Sequence, residues 1–229
     1  ESPLMLWKET IVKIAERIAN LPRYVCATVE RRIAAQAAKG ADVINLGIGS
    51  PDLAPPKFII DALYQSALRP DTHGYAGYYG TPALRRAIAS YYAQRFNVEL
   101  DPNTEVRPLI GSKEGLANMA LAFVDPGDLV LVADPGYPTY SMGAVMVGGT
   151  YYPMPLIEEN DYLVDFEEIP AEVAAQATLM WLNYPNNPTG AGAPMAFLER
   201  AVEFAREYDI LLCYDNPYCD VTFDGYVAP

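Results

Sequence analysis

From about residue 106 onward the sequence alternates short apolar runs with longer segments of helical periodicity, and this alternation constrains the fold more than any other feature. The expected strands are Val106–Ile110, Leu129–Ala133, Thr178–Leu182 and Ile210–Tyr214, with Thr150–Pro153 extended. Between them, Lys113–Phe123, Thr139–Val147 and Met195–Tyr208 read as helices. Asp125-Pro-Gly-Asp128 stops the first of these and Gly148-Gly149 the second. Strands that are separated by helices pair in parallel and need cover on both sides. The expected fold class is therefore α/β, a mostly parallel sheet with helices on both faces, preceded by an N-terminal helical segment.

Upstream, Ile11, Ile14, Ala15 and Ile18 recur at helical spacing until Leu21-Pro22 interrupts them. A second helical stretch covers about Tyr24 to Ala38, and Asp42–Leu46 reads as a short strand. Another helix follows Pro55-Pro56 and runs to Leu68. Pro82 opens the next, through Phe96, at the position where a missing N–H costs nothing. The division expected is residues 1–45 as a helical segment and 46–229 as the main domain.

Composition excludes several classes of function. With 29 acidic against 16 basic residues the net charge is −13, which gives a nucleic-acid backbone no concentrated basic face to bind. No run of about 18 apolar residues is present to span a membrane. The opening ESPLMLWKET has no basic n-region followed by an apolar h-region. Cys26, Cys213 and Cys219 are few, scattered and odd in number, which suits core thiols in a reducing, cytoplasmic compartment. His73 is the only imidazole, so neither a zinc site nor a His-based triad is expected, and no metal is assigned.

In open parallel sheets, ligands gather beyond the carboxyl ends of the strands, and four motifs stand there. Gly111-Ser-Lys-Glu-Gly115 opens a helix, where amides and the positive dipole end suit a phosphate. An ordinary turn capped by Ser112 is the alternative. In Asp134-Pro-Gly-Tyr-Pro-Thr-Tyr140 two prolines stiffen the approach to Tyr137, whose ring could stack on a planar ligand or simply pack over its loop. Asn183-Tyr-Pro-Asn-Asn-Pro-Thr-Gly190 is the most restricted segment, and the Asn187 amide could donate to an anionic or phenolic oxygen. Asp215, in Tyr214-Asp-Asn-Pro-Tyr218, leaves a buried strand and calls for a positive partner, such as a protonated heterocyclic nitrogen. Its alternative is to cap the following turn.

In this order and spacing the four motifs resemble the fold-type I, class I/II aminotransferases that depend on pyridoxal 5′-phosphate. Asn45-Leu-Gly-Ile-Gly49, Pro51-Asp52 and Gly111–Gly115 are similar to the group that includes the LL-diaminopimelate aminotransferases. The resemblance implies an enzyme that moves an amino group between an amino acid and a 2-oxo acid, on the major domain of that fold. It places the cofactor phosphate on Ser112 and Lys113, and stacks the pyridine ring on Tyr137. Asn187 and Tyr218 would bond the 3′-oxygen, and Asp215 would pair with the ring nitrogen. Tyr75 resembles the tyrosine that reaches a neighbouring subunit's phosphate, which implies a homodimer with shared active sites. Gly49 and Tyr24, with Asn187, fall on the substrate side.

One departure matters. The family needs a Schiff-base lysine, and the lysines present are Lys8, Lys13, Lys39, Lys57 and Lys113. The first four lie in the N-terminal part, and the resemblance commits Lys113 to the phosphate. In the family that lysine sits in a Ser-x-Ser-Lys stretch a few dozen residues after the Asp215-type segment, and the sequence stops at Pro229, before that point. The expectation is a chain with no catalytic residue of its own, truncated before a Schiff-base lysine that follows Pro229, and inactive alone. A lyase, decarboxylase or synthase of the same fold, or a non-catalytic cofactor-binding dimerisation fragment, are the alternatives.

Overall fold

The structure, a computed structural model, describes residues 14–19, 21, 25–47, 49 and 52–229. In chain order the helices are α1 (Glu16–Ala19), α2 (Val25–Ala37), α3 (Lys57–Ala67), α4 (Pro82–Phe96), α5 (Ser112–Phe123), α6 (Thr139–Val147), α7 (Ala171–Ala174) and α8 (Met195–Glu207). The strands are β1 (Leu129–Asp134), β2 (Thr150–Pro155), β3 (Ala177–Leu182) and β4 (Leu211–Tyr214). Two compact units result, residues 23–108 and residues 109–229 with the stretch up to 22.

In the unit of residues 23–108, α4 starts where the sequence says it should. The Thr81 hydroxyl accepts from the Leu84 amide at 3.3 Å, Pro82 takes the first turn, and Asn97 ends the helix in the left-handed region. Arg85 is buried against the turn that follows, donating to the Pro102 carbonyl at 2.7 Å and to Asn103 Oδ1 at 3.3 Å. Asp42–Leu46, expected as a strand, forms none. Its alternation of side chains is strand-like, but a strand exists only in a ladder, and no described segment pairs with it.

In the other unit the sheet is parallel throughout, with strand order β2-β1-β3-β4. Val106–Ile110 was expected to add a strand and does not, again for want of a ladder partner. The period-two alternation of a strand sorts β1 and β3 between two cores. Leu131, Ala133, Met180 and Leu182 join Phe197, Ala201, Phe204 and Ala205 of α8. Val130, Val132, Leu179 and Trp181 join Leu116 of α5 and Tyr140 and Ala144 of α6. Helices therefore cover both faces, as the alternating pattern required. Each large apolar side chain so buried contributes about 1.5–3 kcal/mol.

The chain passes from β1 outward to β2, then returns to the other side of β1 to lay down β3 and β4. The topological switch therefore falls between β1 and β3. Because all the strands run the same way, the loops after β1, β3 and β4 leave from one edge.

Candidate active site

Asp134–Tyr140 follows β1. Its Asp134–Pro135 bond is cis, and Gly136 approaches the strand so closely that a Cβ there would lie 2.2 Å from the Ala133 carbonyl oxygen. This loop presents two tyrosines. Tyr137 is half-buried, and its ring meets Tyr140 edge-on with centroids 5.8 Å apart. Tyr140 is buried and stacks on Trp181 of β3.

Asn183–Gly190 follows β3, and both its X-Pro bonds, Tyr184–Pro185 and Asn187–Pro188, are cis. The loop bonds to itself: Asn186 Oδ1 accepts from the Thr189 hydroxyl at 2.9 Å, and Gly190, at φ +76°, donates to the Asn186 carbonyl at 2.8 Å. Tyr184 anchors it from below, its hydroxyl between the Val164 amide and the Tyr162 carbonyl, each at 3.2 Å. Asn183 is the link to the next loop. Its Oδ1 accepts from the Asn187 amide at 2.7 Å, and its Nδ2 donates to the Asp215 carbonyl at 2.8 Å.

Asp215 is half-buried at the end of β4. Its carboxyl does not cap the following turn; Oδ2 accepts from the Tyr140 hydroxyl at 2.7 Å. Burial pushes its pKa above the usual carboxylate range, and the Tyr140 hydrogen bond pulls the other way. Tyr140 itself is driven upward by burial first and by the neighbouring carboxylate second, with Tyr218 and Tyr137 adding to the effect. Tyr218 is thus near enough to act on the Tyr140 hydroxyl. Next to Asp215, Asn216 Oδ1 is buried without a hydrogen-bond partner.

The fourth motif reaches the same cluster. Gly111 caps α5 from an extended backbone, and Glu114 closes the turn: its carboxylate accepts from the Ile110 amide at 2.8 Å and its own amide donates to the Gly111 carbonyl at 3.1 Å, so the turn is capped by Glu114 rather than by Ser112. Lys113 Nζ lies over the Tyr137 ring, 5.7 Å from its centroid. Contacts therefore run unbroken from Lys113 through Tyr137 and Tyr140 to Asp215, and on through Asn183 to Asn187.

Gly49 and Tyr75 lie in the other unit, both exposed, and Tyr24 lies outside the described residues. The Schiff-base lysine expected after Pro229 has no counterpart within the cluster: Pro229 is the last residue of the sequence, and Lys113 is the one lysine of residues 109–229. Sequence reasoning missed Tyr140, Asn183 and Trp181. A strand-end carboxylate must have a donor, which was the one available signal for Tyr140, but it could not choose between the two tyrosines of that loop. Among the described residues, no group of three or more His, Cys, Asp or Glu side chains could hold a metal ion. Nor is any helix there long and apolar enough to cross a membrane. Cys213 and Cys219 are buried and form no disulfide.

Chemically, the cluster suits a flat ligand with an anionic tail and a basic ring nitrogen. A helix start with a hydroxyl and an ammonium would meet the tail, an aromatic face the ring, and a carboxylate the nitrogen. The orphaned Asn216 oxygen is a further polar group beside that carboxylate. These residues fit pyridoxal phosphate.

Known proteins agree. The family model for aminotransferase class I and II matches residues 41–228. The LL-diaminopimelate aminotransferase of Desulforudis audaxviator is 53% identical over 215 residues, 94% of this chain and 55% of the relative. That of Moorella thermoacetica is 49% identical, with the same coverage. Among solved structures, apo BacF from Bacillus subtilis superposes with a TM-score of 0.84 at 43% identity, over 90% of this chain and 52% of that one. A Thermus thermophilus aspartate aminotransferase single mutant gives 0.88 at 26% identity, over 96% and 57%. The chain spans about half the length of the curated relatives it matches. On the match over residues 41–228, carried by a fold and a strand-end cluster of the kind the motifs implied, the chain belongs to the aminotransferase class I and II family.

Proposed function

We propose that the complete protein carrying this chain is a pyridoxal-phosphate-dependent aminotransferase that passes an amino group between an amino acid and a 2-oxo acid. The unbroken contact path along the carboxyl edge of the sheet, from Lys113 to Asn187, is the observation that carries it. When bound, the cofactor supplies an electron-accepting ring. The chain's own residues do the rest. Ser112 and Lys113 hold the anionic tail at the start of α5. Tyr137 covers the ring and excludes water from one face. Asp215 holds a proton at the ring nitrogen, and Asn187 and Tyr218 orient the ring oxygen. By the family resemblance, Gly49, Tyr24 and Asn187 are assigned to the substrate side.

The lysine that must move a proton at the substrate carbon is not among those assigned in residues 1–229. The proposal places it after Pro229, in the rest of the protein, and expects the 229-residue chain to be inactive alone. Residues 1–45 are assigned to the helical segment and 46–229 to the cofactor domain. A homodimer with shared sites completes the reading, with Tyr75 reaching the neighbouring subunit. Its support is apolar exposure in the 23–108 unit: Phe58 and Leu63 of α3 are each 72% exposed, and Tyr75 and Tyr78 fully so. A cytoplasmic location and freedom from nucleic acid are part of the proposal, supported by the acidic charge and by thiols that form no disulfide.

The relatives' names make LL-diaminopimelate the first donor to test. Incubating the complete protein with that donor, pyridoxal phosphate and a 2-oxo acid should give a new amino acid matched by a new keto product. Ammonia released with the keto product, and no new amino acid, would instead identify a lyase. On the 229-residue chain, cofactor followed by borohydride should leave no covalent mass increment; one on Lys113 would overturn its assignment.

A further inference from the structure

Asp215 has a partner that its own motif does not announce. Tyr140, the second residue of α6, lies 75 positions earlier and delivers its hydroxyl to Oδ2 at 2.7 Å. Its ring is 2% exposed and lies flat on the Trp181 indole, with centroids 5.1 Å apart and planes at 12°. Trp181 is buried in β3, so a strand of the sheet fixes the shelf and the shelf fixes the phenol. Asn183 holds the Asp215 backbone from the other side. One carboxyl oxygen and the main chain are thus tied down, which leaves Oδ1 to meet a ligand.

Resting on the cofactor reading above, we propose that Tyr140 is a positioning residue for Asp215: it keeps the carboxylate ionised and in one orientation toward the ring nitrogen, and Trp181 keeps Tyr140 in place. The choice of donor has a physical logic. An ammonium or guanidinium would cancel the charge of Asp215 and with it the attraction for a protonated ring. A phenol stabilises the carboxylate by one hydrogen bond and leaves its charge intact. Burial disfavours the charged carboxylate, and the hydroxyl opposes that penalty. Tyr140's own ionisation is pushed upward, so it stays a donor. The titratable groups facing the pair are the phenols of Tyr137 and Tyr218, with Lys113 beyond the Tyr137 ring.

The test uses the complete protein and Y140F, which keeps the stacked ring and deletes the donor. In the cofactor-free protein, the Asp215 carboxyl carbon is titrated by NMR, with D215N identifying the resonance. Y140F should raise its midpoint. Pyridoxal phosphate affinity, read from the absorbance of the bound cofactor, should fall by about 10-fold, as loss of a hydrogen bond to a charged group predicts. W181F, which keeps the hydroxyl on a weaker shelf, should move both readouts the same way and less, and it decides the matter should Y140F not fold. An unmoved Asp215 midpoint, or a moved midpoint with unchanged cofactor affinity, overturns the role of Tyr140. A parent protein that binds no pyridoxal phosphate refutes the functional reading instead, and the cofactor-free titration still reports separately on the hydrogen bond.

Discussion

Asn183→Ala removes the side chain that ties two strand-end loops together. Asn183 is 2% exposed, and its amide makes two bonds, one from the Asn187 amide at 2.7 Å and one to the Asp215 carbonyl at 2.8 Å. At about 1–1.5 kcal/mol for each net bond, the loss is about 2–3 kcal/mol of stability. Water reaches part of the site and should keep the cost from rising further. The same deletion frees Asn187 and Asp215 together, so cofactor affinity should fall along with stability. Denaturant unfolding gives the stability and cofactor titration the affinity. A destabilisation below about 0.5 kcal/mol with unchanged affinity would show that the bridge is incidental, since that is the range of an ordinary surface change.

Tyr184→Phe should cost about 1–3 kcal/mol, because it leaves the buried Val164 amide and the Tyr162 carbonyl without their partner; denaturant midpoints measure this, and a neutral result refutes it. Gly136→Ala forces a Cβ to within 2.2 Å of a backbone oxygen, so the loop must shift at about 1–3 kcal/mol; unaltered stability with unaltered Tyr137 and Tyr140 resonances would contradict the geometry. Burial pushes the Cys213 thiol up to about 11 from 9.0. The unfolded thiol therefore ionises first, and its contribution to stability, full below about 9, should drain away as pH rises toward about 11. Alkylation of native protein at pH 9 should accordingly lag that of unfolded protein, and equal rates would contradict it.

The elements legible in the sequence were those whose signal is local. α6 matches its expected bounds, and α4, α5 and α8 lie within a residue of theirs, because caps, prolines and helical periodicity are written in adjacent residues. Asp42–Leu46 and Val106–Ile110 carried a strand pattern and form no strand, since pairing depends on a neighbour that pattern cannot name. The short α7 and the turns at Glu158–Asn160 and Phe166–Glu168 carry too few residues for a periodicity. At the site, Asp215, Tyr137 and Asn187 were legible because a strand-end carboxylate, a proline-flanked ring and a restricted loop each demand explanation. Tyr140 and Asn183 were not, because their importance lies in what they touch 75 and 32 residues away.

The sorting of β1 between two cores carries a consequence for how such a gene tolerates change. Leu131 and Ala133 serve one side while Val130 and Val132 serve the other, so losing a single codon within this strand would exchange the two sets and turn every later side chain to the opposite layer. Length variation should therefore be confined to connecting segments such as Glu158–Asn160, while the strand lengths that aim Tyr137, Asn187 and Asp215 stay fixed in parity even where their residues drift.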